Sequence, residues 1–433
     1  MSKKNKDLEI ERIALEPVPP EQKKSWPAIA FIWSGNVICI PALMVGSMIA
    51  SGLPFGKCVL AMIIGYSITC VLMMFIAAQA ANTGVPAVAA VTRALGTRGS
   101  QVSLSLIFAI SMTGWFAYNN IVCAESFCSF LDIMGLSFPQ WLACILLGAL
   151  MLFTAFHGIG LTKYLNVISV PLLIIILVIG VVMVLKDGGA ETLSNWQPEE
   201  PMSMVTAITI AVGGFIAGAV TAGDYNRYSK DSKSAALSAF FGIMPCGIGA
   251  LVCGGILAIC TGQSDISLIF ANVGFPSLGL LVLILATWTT NVGNAYSAGI
   301  AAVSVFHVSD DKRPLVTAIC GIIGIILSLG GIVYHFVTFL SWLSYFITPV
   351  CAILIADYWI MGKGDAKSWK PFKGVNWLGI IAWLAGTAIT YFDSFFIPEI
   401  IGIICSMIIY IVLCKVVKNP KINPYIQTEE TLA

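Results

Sequence analysis

Charge is what this sequence has least of. Only 10% of its 433 residues are Asp, Glu, Lys or Arg, where a soluble domain carries about 25%. That scarcity excludes an ordinary cytosolic enzyme, a disordered chain and a nucleic-acid binder. Histidine is nearly missing: His157, His307 and His335 are scattered and form no metal pattern. The thirteen cysteines are odd in number and include no CxxC pair. Cys70, Cys144, Cys253, Cys260, Cys320 and Cys405 lie inside apolar runs and read as small hydrophobes, not as a disulfide framework. No phosphate-binding Gly-Lys-Thr loop occurs, so nucleotide-driven pumping in cis is not expected. These absences predict neither an enzyme nor a cofactor-bearing protein. A secretory signal is not expected either, because residues 1–26 are polar and the first apolar stretch outruns an h-region.

Apolar residues are what the chain has in excess: 58% hydrophobic, with a mean hydropathy of +0.91. A spanning helix needs about 20 apolar residues. Twelve apolar segments can be read, at 27–51, 58–82, 101–131, 137–157, 164–185, 204–225, 234–262, 276–306, 314–333, 335–357, 376–392 and 396–414. Their continuity excludes a β-barrel. The expected fold class is therefore an all-α polytopic membrane protein. Net charge is only +1 and says nothing about partners, but the placement of charge does. With the N-terminus inside and sides alternating, 21 of the 23 basic residues fall on inner segments, and only Lys57 and Lys186 fall outside. Basic loops resist translocation, so both termini are expected in the cytoplasm of a cell (inner) membrane.

Two segments carry breakers near their middles. Segment 1 reads Trp33-Ser34-Gly35-Asn36-Val37-Ile38-Cys39-Ile40-Pro41, and segment 6 reads Val212-Gly213-Gly214-Phe215-Ile216-Ala217-Gly218. Gly holds helical geometry poorly and Pro removes a donor. Unwound backbone at membrane depth survives only where it is buried in protein or lines a cavity. Close packing explains any single glycine equally well. Paired breaks in corresponding positions of two halves, however, point to an inverted-repeat transporter with its site at the midplane.

Polar side chains converge at the same depth. Segment 3 carries Trp115 and Asn119 one helical turn apart, and segment 8 carries Thr287, Trp288, Thr289, Thr290, Asn291, Asn294 and Ser297. Hydroxyls and carbonyls suit a hard cation, so carbonyls near Gly35 and Ile38, facing Thr289 and Thr290, are candidates for a sodium site. Asn119, Asn291 and Asn294 donate and accept at once, which suits a neutral polar ligand. Trp115 and Phe215 offer flat faces for a planar ring. Glu125 is a carboxylate well inside a span and a candidate coupling or proton-carrying group. Asp224 and Asp357 end spans on the inner side near Arg227 and Lys363 and read as salt-bridge or gate residues. Trp26, Trp141, Trp196 and Trp369 fall near segment ends and read as interfacial anchors.

These stretches resemble the nucleobase–cation symporter family, in its cytosine permease branch. The resemblance is carried by Thr113-Gly114-Trp115-Phe116, Gly214-Phe215-Ile216, Thr221-Ala222-Gly223-Asp224-Tyr225-Asn226-Arg227, Trp288-Thr289-Thr290-Asn291, Ile355-Ala356-Asp357-Tyr358 and Val375-Asn376-Trp377. It implies a LeuT-like 5+5 inverted repeat with helices 1 and 6 broken, followed by two more helices. The expected partition is a tail at 1–26, repeats at 27–185 and 204–357 around an outer loop at 186–203, helices 11 and 12 within 358–414, and a tail at 415–433. It also implies sodium or proton symport of a small ring, with Gly35, Ile38, Ala286, Thr289 and Thr290 at the sodium and Trp115, Phe215 and Asn119 at the ring. The chain departs from that branch at Cys39, Met112, Ala217 and Ala286, where aromatic or polar residues are usual. The function expected is sodium-coupled import of a nucleobase-like heterocycle by a monomer in the lipid bilayer. Rivals are a proton symporter of a purine, allantoin, hydantoin or hydroxymethylpyrimidine ring using Glu125, an amino-acid carrier, and a receptor or channel.

Overall fold

The computed structural model describes residues 18–156, 160–263, 266–272, 276–393 and 396–426. Among these the chain is helical, with one isolated bridge between Lys24 and Ser229 in place of any strand. The helices are α1 (Trp26–Val37), α2 (Ile40–Gly52), α3 (Phe55–Thr83), α4 (Thr97–Ile133), α5 (Gln140–Phe156), α6 (Gly160–Val184), α7 (Met204–Val220), α8 (Ala222–Asn226), α9 (Ser232–Thr261), α10 (Ile266–Asn272), α11 (Pro276–Phe306), α12 (Arg313–Leu329), α13 (Phe336–Ile355), α14 (Trp377–Phe392) and α15 (Pro398–Val416). Among the described residues seven helices are long and apolar enough to cross a membrane, and α1 with α2, bent by 60°, count as an eighth if the pair is one span. The helices near 140–155, 204–220, 313–329 and 377–392 are apolar but shorter. Helix ends fall within a few residues of the segments read from hydropathy, because the same apolar runs define both.

The helices sort into two groups by packing. In one, α9 lies against α1, α2 and α3, and α7 lies against α2 and α3. In the other, α4, α5, α11 and α12 pack on one another, with α4 and α11 in the most extended contact. Helix α6 leans on α11 and α9, while α13 leans on α7, α14 and α15. Small residues set the closest approaches: a Cβ at Gly46 would overlap the Leu251 carbonyl, and one at Gly254 would overlap that of Leu43. Close backbone contact through glycine is how helices associate where lipid provides no hydrophobic drive.

The loops read as inner also meet one another. The Lys24 amide donates to Tyr228 O (2.7 Å), Thr97 N to Phe372 O (2.8 Å) and Asn376 N to Leu95 O (2.9 Å). At the opposite end, Met202 N donates to Gly52 O (2.7 Å) and the Trp196 indole to Ala50 O (3.0 Å). The thirteen cysteines are free thiols, and no cluster of metal-ligating side chains occurs among the described residues. His157 lies outside the described residues.

Candidate functional site

Segment 1 is interrupted at Ile38–Cys39. Cys39 is extended (φ −144°, ψ 163°), and Pro41 sits in the first turn of α2, where a missing N–H costs least. Around the break, Ile38 N donates to Ser34 O, Cys39 N to Val37 O and Ala42 N to Cys39 O. Those choices leave the carbonyls of Gly35 and Ile38 without a main-chain donor among the described residues. A Cβ added at Gly35 would meet nothing within 4 Å, so the chain borders open space there.

Segment 6 differs from expectation. Residues 212–218 are unbroken helix within α7. Gly213 serves packing, since a Cβ there would overlap the Leu340 carbonyl of α13, and Gly214 faces Val45 of α2. The interruption falls instead at Thr221 (φ −76°, ψ 0°), between α7 and α8. The Thr221 hydroxyl donates to Ala217 O (3.3 Å) and Gly218 O (3.1 Å), adding to the bond that Thr221 N makes to Ala217 O (3.2 Å). In hydrocarbon a helix persists through glycine until some other group can take over its backbone bonds.

On α11 the Thr289 and Thr290 hydroxyls both donate to Ala286 O, each at 3.0 Å. Three oxygens are thereby gathered at one helical turn, with hydroxyl lone pairs still free to accept. Helix α2, which follows the break, packs on α11. Thr287 turns back to its own helix, donating to Leu283 O.

The three asparagines divide. Asn291 is fully buried and its amide donates across to Phe116 O of α4 (3.0 Å), so it ties α11 to α4. Half-buried Asn294 donates weakly to Asn291 Oδ1 (3.4 Å). Asn119 donates to Trp115 O on its own helix (2.8 Å), leaving a buried Oδ1 with no partner. Its neighbour Asn120, not singled out from sequence, bridges helices by donating to Cys144 O (3.1 Å) and Ser328 Oγ (3.2 Å).

Two aromatic clusters flank this region. Trp115 meets Phe336 and Phe339 edge-on, each at 5.7 Å between ring centres. Phe215 is half-buried and stacks near Tyr66 (6.1 Å), with Trp33 edge-on at 6.3 Å. Trp115, Ala286, Val37 and Ile216 belong to one continuous core, and Ile38, Cys39 and Phe215 pack against it. Above them a cavity of about 400 Å³ is lined by Met44, Met48, Tyr118, Val122, Glu125 and Glu200, among others. Tyr118 stacks on Phe336 at 3.6 Å. Tyr66, Tyr118 and Trp33 were missed in sequence because their role is set by neighbours distant along the chain.

The acidic residues also land differently. Glu125 is half-buried, accepts from Gln140 Nε2 (3.0 Å) and lines the outer cavity. Asp224 does not bridge to Arg227; it accepts from Ala87 N (3.0 Å), while Arg227 donates to Tyr228 OH (3.0 Å). Asp357 pairs with Arg93 (2.8 Å), not Lys363. Glu399, not singled out from sequence, is fully buried and accepts from Ser344 Oγ (2.8 Å).

A multi-pass helical membrane protein with a chain break and buried polar groups at mid-depth belongs to the class of secondary transporters. Comparison with known proteins makes this specific. A family described as permeases for cytosine/purines, uracil, thiamine and allantoin matches residues 17–410, and the chain belongs to that family. The chain is 26% identical to the cytosine permease of Escherichia coli (strain K12) over 410 residues, covering 94% of each. Its fold is that of Mhp1: the inward-facing structure aligns with a TM-score of 0.78 at 21% identity over 92% of this chain and 91% of that one. The closed structure of Mhp1, a nucleobase-cation-symport-1 transporter with bromovinylhydantoin bound, aligns at 0.73 and 20% identity over 93% and 94%. These relatives are permeases and transporters, not enzymes.

Proposed function

We propose that the chain is a sodium-coupled importer of a small planar nitrogen heterocycle. The observation that carries this reading is the interruption at Ile38–Cys39, which frees carbonyls at membrane depth, where each unsatisfied group costs several kcal/mol. A bound cation relieves that cost. The oxygens of Gly35, Ile38, Ala286, Thr289 and Thr290 form a neutral, hard donor set suited to sodium and unsuited to a transition metal. Holding the ion across the break and α11 fixes the wall of the ring pocket, so ion and substrate raise each other's affinity by one shared factor.

In this reading Trp115 and Phe215 sandwich the ring, and the orphan Asn119 Oδ1 and the weakly held Asn294 amide are free to meet its edge. Gly214 keeps that wall low, and Cys39 gives it an apolar patch. Cys39, Met112, Ala217 and Ala286 together leave fewer polar partners than the cytosine permease branch offers, which favours a ring other than cytosine. The helices form twelve spans with both ends inside, as inverted repeats 27–185 and 204–357 followed by two further helices, in a monomer. The group α1, α2, α3, α7, α9 rocks against α4, α5, α11, α12. Exposed Asn36 and Ser297 (polar groups that hydrocarbon would not tolerate) support an opening toward the inner side.

The test is a thermal-shift screen of purified protein against nucleobases, hydantoins and pyrimidine precursors, with and without sodium. The expected hit needs sodium and disappears in Thr290→Val. A hit indifferent to both overturns the sodium site. Uptake that follows pH, ignores sodium and is lost in Glu125→Gln makes the outer-cavity carboxylate the coupling group instead.

A further inference from the structure

At the inner end of the bundle lies a cavity of about 590 Å³ that the transport reading does not use. Its wall includes Lys363, Lys367, Lys370, Asp365, Arg93 and Tyr425. Arg93 is already neutralised by Asp357. Lys363, Lys367 and Lys370 are exposed and have no ion pair among the described residues. Asp365, the one acid in the wall, turns its carboxylate back to accept from the Lys367 amide (2.9 Å) and so shapes the loop. Lys363 is held at φ +52° between Gly362 and Gly364, a conformation lysine rarely adopts. The cavity thus sets three lysines against one unpaired carboxylate and carries net positive charge.

Its rim faces apolar surroundings. Directly before the lysines, Ile360 is 46% exposed, and Trp359 donates to Phe75 O (3.1 Å) beside the 43%-exposed Phe75 ring. An indole at a span end next to outward apolar side chains marks the membrane interface. A ligand entering here meets lysines with its head and hydrocarbon-facing residues with its tail. We propose that this cavity is a headgroup site for an anionic phospholipid, whose phosphodiester sits among Lys363, Lys367 and Lys370 against Tyr425 while its acyl chains run along Ile360 and Phe75. Juxtamembrane lysines attract anionic lipid in this way. The inference does not depend on which substrate is carried.

The experiment titrates the purified full chain, in neutral detergent, with phosphatidylglycerol, phosphatidylcholine or inorganic phosphate and reads the unfolding temperature. Phosphatidylglycerol is expected to raise it, and the other two are not, since a ligand that binds the folded state stabilises it by RT ln(1 + [L]/Kd). Lys363→Gln, Lys367→Gln and Lys370→Gln together are expected to raise the phosphatidylglycerol concentration needed for a given shift roughly hundredfold, about fivefold per lysine. Lys415→Gln with Lys418→Gln, which removes two lysines outside the cavity, is expected to change little. An equal shift from inorganic phosphate overturns the lipid in favour of a soluble anion. An intact response in the triple variant, or an equal loss in the Lys415/Lys418 variant, overturns the location. A response that appears only in Glu429→Gln with Glu430→Gln assigns the cavity to the chain's own acidic tail and overturns the proposal too.

Discussion

The pairing of Arg93 with Asp357 invites the most demanding test of the fold. Asp357 Oδ2 accepts from Arg93 Nε at 2.8 Å, and Oδ1 accepts from Tyr410 OH at 2.8 Å and Tyr425 OH at 2.6 Å. Arg93 Nη2 reaches the Asp357 carbonyl at 3.0 Å. Both side chains are buried. Removing one partner of such a pair leaves an uncompensated charge and costs about 3–5 kcal/mol. In Arg93→Gln the carboxylate keeps two tyrosine hydroxyls, which puts the loss near the lower figure. In Asp357→Asn the guanidinium keeps a carbonyl and the Tyr425 ring, 5.5 Å from its centre, a contact worth about 1–2 kcal/mol when desolvated. That again leaves a cost of about 3 kcal/mol, more than a hundredfold in the unfolding equilibrium.

The double variant is the informative one. Gln and Asn are neutral, and each retains a hydrogen-bonding partner, so the combined cost should be about 2 kcal/mol. The singles together cost about 6 kcal/mol, giving a coupling of about 4 kcal/mol. Equilibrium unfolding of the four proteins in mixed micelles measures it. If the double variant costs as much as the two singles combined, within about 0.5 kcal/mol, the charges do not share a low-dielectric site and the reasoning fails.

Two further outcomes follow from the geometry. Gly213→Ala drives a Cβ into the Leu340 backbone and should cost about 1–3 kcal/mol, whereas Gly214→Ala, 3.3 Å from a movable Val45 methyl, should be tolerated; unfolding and uptake of both variants check this, and the reverse order would restore the glycine pair as the hinge of segment 6. Asp231 caps α9 by accepting from Ser234 N at 2.7 Å, and that bond holds its carboxyl below the usual range. Its contribution is full above the unfolded carboxyl pKa of about 3.9 and is lost as pH falls through the lower folded value. Asp231→Ala should cost about 1 kcal/mol at neutral pH and less in acid, measured as the difference in unfolding between the two pH values.

Hydropathy made the spans legible, since lipid demands one continuous apolar run per helix and nothing else in the chain imitates it. The break in segment 1 was legible because Pro41 supplies a second signal next to Gly35. Segment 6 was not, because Gly213 and Gly214 serve packing and unwinding equally well, and only a neighbour at Leu340 decides between them. The better mark was Thr221, whose hydroxyl bonds the carbonyls of the preceding turn. Arg93 and Asp357 are 264 residues apart, so no local pattern joins them. Glu399 stood out by no motif; its burial, with Ser344 of another helix as partner, is set by tertiary packing. Asn119 and Asn120 could not be told apart by type, only by which way each points.

The division of polar contacts bears on how the molecule moves. Trp33 donates to Asn226 Oδ1 (2.8 Å), and Ser34 donates to Gly242 O (3.2 Å), binding α1 to α8 and α9. Asn291 to Phe116 O, Ser105 to Ser304 (3.2 Å) and Ser328 to Ala117 O (2.8 Å) bind α4, α11 and α12. These directional bonds stay within one helix group or the other. Between the groups α2 packs against α11, while the aromatic cluster around Trp115 joins α4 to α13 through ring contacts. An interface of that kind slides at low cost while each group holds its form. The Tyr118–Phe336 stack closes the floor of the outer cavity with a single layer of rings above Trp115. Phe336 begins α13, directly after the turn Ile332–His335. In the proposed transport reading, a small rotation of that helix end would part the stack and open the path from that cavity.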